Sequence, residues 1–99
     1  MSTHEQALIE LMVRNLESRV AEHRERIRGE LADLRVLVAQ MEAGFAATAT
    51  APMGAAGRIR AAGLDVERAA IALKADLEAL ECARRALSAL GGAAPAAEG

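Results

Sequence analysis

The chain has 99 residues and is 53% hydrophobic, yet 25 of those residues are Ala, 12 are Leu, and Phe45 is the only aromatic. That length builds one small domain, and the scarcity of β-branched and aromatic residues at alternating positions excludes sandwiches and barrels. The formal net charge of −2, from 14 acidic and 12 basic residues, is too even to create a field that steers the chain to nucleic acid or an anionic membrane.

An all-α chain follows. Lys74 is the only lysine, so the basic side chains are almost all Arg, a bias that tracks overall composition as readily as phosphate binding. Cys82 stands alone, which forbids an internal disulfide and every paired-cysteine metal spacing. Met1–Glu10 carries Glu5 and Glu10 and no basic-then-apolar order, unlike a secretory signal. The uncharged run 43–57 is too short and too broken by Gly and Pro to cross a bilayer, which takes about 20 strongly apolar residues. The expectation is a soluble, cytoplasmic chain without a membrane role.

In chain order, Ser2 or Thr3 can cap a first helix, with Gln6 three residues after Thr3 as in a capping box. The helix is expected over about 3–43. Its apolar stripe is read as Ile9, Val13, Leu16, Val20, His23, Ile27, Leu31, Leu34, Val38, Met41 and Phe45. Those spacings are a heptad seam with one additional step around Ile27, where the supercoil should locally unwind. Gly44 is a natural stop, and a turn is expected over about 44–51. Pro52 suits the first turn of a second helix over about 52–90. Because Gly54, Gly57 and Gly63 each cost about 1 kcal/mol against Ala in a helix, the alternative is a start at 65, with Asp65 as cap. The second stripe reads Val66, Ala70, Leu73, Leu77, Leu80, Leu87 and Leu90, with Ala83 or Arg84 between the last two leucines but one. Gly91-Gly92 ends the helix, 2–91 forms the domain, and 92–99 reads as a flexible tail.

The expected fold is therefore an antiparallel, coiled-coil-like two-helix hairpin. Leu8, Leu11 and Met12 beside Ile9 and Val13, and Val36 and Leu37 beside Val38, make the helices apolar on more than one stripe. Such helices bury more than one side, so the hairpin is expected to oligomerise into a four-helix bundle or larger assembly. Leu16, Val20, His23, Ile27, Leu31, Leu34, Val38, Met41, Leu73, Leu77, Leu80 and Leu87 are the candidate oligomer seam. Phe45 and Met53 are candidates for a partner-docking tip on the connecting loop.

No constellation for chemistry emerges. His23 on the seam is read as a polar residue that sets register, with a pH switch or a metal ligand as the sharper alternative. Neither His4 nor His23 follows a Glu by three residues, the element a carboxylate-bridged metal bundle needs. Cys82 reads as a small packing residue. No catalytic residue, cofactor, metal or small-molecule substrate is expected. Arg24, Arg28 and Arg35 fall within about 40° on a helical wheel and could contact phosphates, although Glu17 and Glu42 interrupt that face.

Over Glu5–Leu90 the hairpin resembles, in architecture, the small chaperones of type III secretion apparatus and the oligomerising helix pair of tailed-phage small terminase subunits. The first resemblance implies an adaptor or chaperone; the second implies a DNA-packaging oligomer using helix-one arginines. Neither assigns a site residue. Gly44-Phe45 stands where hundred-residue secreted hairpins carry a Trp-x-Gly turn, and Trp is absent. The function expected from the residues is a non-enzymatic scaffold, adaptor or chaperone whose partner is a second copy, another helical protein, or both; the alternative is the nucleic-acid oligomer.

Overall fold

The computed structural model describes residues 3–48 and 53–91. These form two helices, α1 (Thr3–Thr48) and α2 (Met53–Leu90), and no strand among the described residues. The helices pack against each other. By contacts the chain divides into a terminal unit, Met1–Glu22 with Leu73–Gly99, and a central unit, His23–Ala72.

In the terminal unit, Glu17 meets Arg84 and Arg19 meets Asp76, so α1 ascends while α2 descends. Its core is Val13, Leu16, Val20, Leu80 and Ala83, with Ile9, Leu73 and Leu87 packed against it. In the central unit the chain passes from Thr48 to Met53 through four residues, and among the described residues the buried apolar ones are Ala55 and Ala69.

Burial fixes the register of both helices. Apart from Gln6 and Glu10 near its start, the buried and half-buried residues described on α1 are Ile9, Val13, Leu16, Val20, His23, Ile27, Glu30, Leu34, Leu37, Met41 and Gly44. Their spacing is an unbroken alternation of four and three, the heptad pattern of a coiled-coil seam. On α2 the same alternation runs through Ala55, Ile59, Ala62, Val66, Ala69, Leu73, Asp76, Leu80, Ala83, Leu87 and Leu90. Alanine recurs every seventh residue at 55, 62 and 69 and again at 83, which lets a helix backbone come close to its neighbour. Heptad letters follow, with Val13 and Leu80 at a, Leu16 and Ala83 at d.

Several sequence expectations change. There is no additional step near Ile27: after Ile27 the seam passes through Glu30, Leu37 and Gly44, not Leu31, Val38 and Phe45, which are 37%, 41% and 48% exposed. On α2, Ala69 and Asp76 replace Ala70 and Leu77, and the position between Leu80 and Leu87 is Ala83, with Arg84 outside. Side chains one residue along from a seam position point past the partner helix, so a more apolar neighbour does not displace the register that all the other layers share.

Helix α1 continues to Thr48, five residues beyond the expected end at 43. Gly44 stops nothing, because its small size suits a half-buried seam position and alanines at 46 and 47 sustain the helix. α2 runs from Met53 through Gly54, Gly57 and Gly63, so the longer of the two expected second helices forms and Asp65 lies mid-helix rather than at a cap. The two Ala-Ala-Gly repeats place Ala55 and Ala62 inward, while Gly57 and Gly63 are exposed. α2 ends at Leu90, where the Gly91 amide donates to the Leu87 carbonyl at 2.9 Å. Ser2, the rest of the expected turn (49–51), Pro52 and the tail 92–99 lie outside the described residues.

Candidate functional site: the faces outside the seam

The residues expected to form an oligomer seam divide into two sets. Leu16, Val20 and Leu80 are buried, Leu73 and Leu87 pack on them, and His23, Ile27, Leu34 and Met41 are half-buried. This set joins α1 to α2 within one chain. Leu31, Val38 and Leu77 lie outside the seam at e positions and remain on the surface.

The polar members of the seam were the least visible from sequence. Asp76 is 6% exposed, and Arg19 Nη2 donates to its Oδ1 at 3.0 Å. The arginine keeps its own side chain 60% exposed, so its stem covers the helix pair while its head reaches the carboxylate. Glu30 is a seam carboxylate in the central unit; its Oε2 lies 3.6 Å from Arg26 Nε, and its Oε1 is buried without a hydrogen-bond partner. Extending the strict heptad from Val13 and Leu80 would have located both acids.

In the terminal unit, the e position of α1 at Glu17 accepts a 2.7 Å hydrogen bond from Arg84 at the e position of α2. That pair closes one face. The opposite face carries Leu8, Leu11 and Met12, each close to half exposed. Two open clefts adjoin Leu8. One, of about 520 Å³, is lined by Glu5, Leu8, Ile9, Ala86, Ala89 and Leu90; the other, of about 420 Å³, by Leu8, Leu11, Met12, Asn15, Leu16, Arg19 and Ala79. Their walls are mostly aliphatic, with few polar groups to orient a small molecule.

In the central unit the described e positions beyond Arg24 are apolar. Leu31, Val38 and Phe45 recur every seventh residue along α1, and Ala56, Gly63 and Ala70 do so along α2. Phe45 therefore rides on a helix face rather than on a loop tip, and Met53, 75% exposed, is the first residue of α2. A Cβ built on Gly63 would meet nothing within 4 Å.

Arg24, Arg28 and Arg35 are all exposed on α1, and Arg28 is held by Glu25 at 2.7 Å. Cys82 is exposed and not a packing residue. Among the described residues no group of three or more His, Cys, Asp or Glu side chains could hold a metal ion. No helix is long and apolar enough to cross a membrane. Comparison with family models, curated proteins and solved structures returns no match for the chain.

Proposed function

We propose that the chain is a non-enzymatic interaction module, a helical hairpin that self-associates and serves as a scaffold, adaptor or small chaperone. One observation carries this reading. After the seam has joined α1 to α2, large apolar side chains such as Leu8, Met12, Val38 and Phe45 still stand 41–53% exposed at helical spacing. Clustered exposed apolar residues of this kind mark association surfaces, and a hairpin of two helices has too small a core to leave them in water without cost.

Light scattering on a size-exclusion column tests it. Refractive-index detection is needed because Trp and Tyr are absent, and absorbance at 260 nm is followed in parallel. A discrete dimer or larger species without 260 nm signal is the expected result. A monomer at every concentration overturns self-association, and co-eluting nucleic acid removed by salt would favour phosphate contacts through Arg24, Arg28 and Arg35.

A further inference from the structure

We infer that the central unit docks on the central unit of a second copy through its e face, with α1 of each copy lying over α2 of the other. The inference rests on the self-association reading and names the surface.

The argument begins with register. Four residues join Thr48 to Met53, so α2 returns level with the end of α1, and the heptads on both helices are uninterrupted. Phe45 is then level with Ala56, Val38 with Gly63, and Leu31 with Ala70. At each level α1 presents a large side chain and α2 a small one, side by side on the same face. A two-fold axis parallel to the helices exchanges the two strips, setting each large residue of one copy over the small residue at the same level of the other. A second copy is thus the matching shape, and such isologous pairing closes the assembly. The open space over Gly63 is where Val38 from the second copy would seat.

Charge supports the same occupant. The b positions flank this face on its outer side, and they hold Arg28, Arg35 and Glu42 on α1 and Arg60 and Glu67 on α2, all exposed, with Arg28 already paired to Glu25 on its own helix. Under the same two-fold axis Arg35 comes within one residue's rise of Glu67 from the other copy, and Glu42 within one of Arg60. Both pairings are attractive, and the symmetry makes each occur twice. Like charges at either place would have opposed the arrangement.

The test uses the full chain in sedimentation equilibrium, with circular dichroism to show that each variant keeps its helices. R35E and E67R should each weaken the dimer about tenfold, and the R35E/E67R double variant should return to within about twofold of the original. V38D should abolish the dimer while leaving the helical signal unchanged. If the original chain assembles but ignores R35E, E67R and V38D, or if the double variant stays as weak as the single ones, this surface is wrong while self-association stands. If the original chain is monomeric at its highest soluble concentration, both fall.

Discussion

The terminal and central units use one heptad pattern to different ends. The terminal unit places Val13, Leu16, Val20 and Leu80 below a tenth exposed and spans one e face with the Glu17–Arg84 pair. Among its described residues the central unit buries Ala55 and Ala69 alone, leaves Glu30 in its seam with one oxygen unpartnered, and puts Leu31, Val38 and Phe45 where the terminal unit of α1 has Glu10 and Glu17. Core strength and surface chemistry thus vary inversely along one coil. A face bridged by an ion pair can remain in water, whereas a face of Leu, Val and Phe beside a weak seam gains most from a second layer.

The sharpest way to break this comparison lies in neighbouring leucines. Leu80→Ala should cost about 3 kcal/mol, as buried leucines do, while Leu77→Ala, three residues earlier and 37% exposed, should cost under about 1 kcal/mol. Urea unfolding followed by circular dichroism reads both, and equal losses would mean that the strict heptad on α2 is wrong.

Next in size is Glu30→Leu. Replacing a seam carboxylate that has one unsatisfied buried oxygen with an apolar side chain should raise stability by about 1–2 kcal/mol. A loss in the same unfolding assay would show that the carboxylate is satisfied and that the central seam is not weak for this reason.

Smallest is the removal of glycine from helix interiors. Gly29 and Gly57 have nothing within 4 Å of an added Cβ, so Gly29→Ala and Gly57→Ala should each raise stability by about 0.5–1 kcal/mol through helix propensity alone. A higher thermal midpoint confirms it; a lower one would show that these positions need glycine for a contact outside the single chain.

Much of the fold was legible in the residues. The scarcity of aromatics, the proline-free stretch before position 52 and the four-and-three apolar rhythm specify two helices, because helix periodicity needs no tertiary partner to be read. The seam was legible without a slip only to Ile27; beyond it Leu34 and Met41 on α1 and Val66, Leu73, Leu80, Leu87 and Leu90 on α2 were placed, but several layers between them were drawn one residue off. Leu31 is more apolar than Glu30, Phe45 than Gly44, and Leu77 than Asp76, so apolarity alone draws the stripe one residue off the seam at each place. Gly44 looked like a stop for the same reason: its propensity is poor, and only its place between two packed helices makes small size an advantage.

The sequence by itself determined that this chain is helical, turns back once near its middle and carries more apolar surface than one hairpin can hide. The tertiary structure decided which apolar residues are spent inside and which stay out. Within each unit the two helices share one register, so each layer's preference is summed with those of its neighbours. A few polar or small residues are carried into the seam by that sum, and the large neighbours they displace, Leu31, Phe45 and Leu77, are left on the surface, as is Val38 beside Leu37.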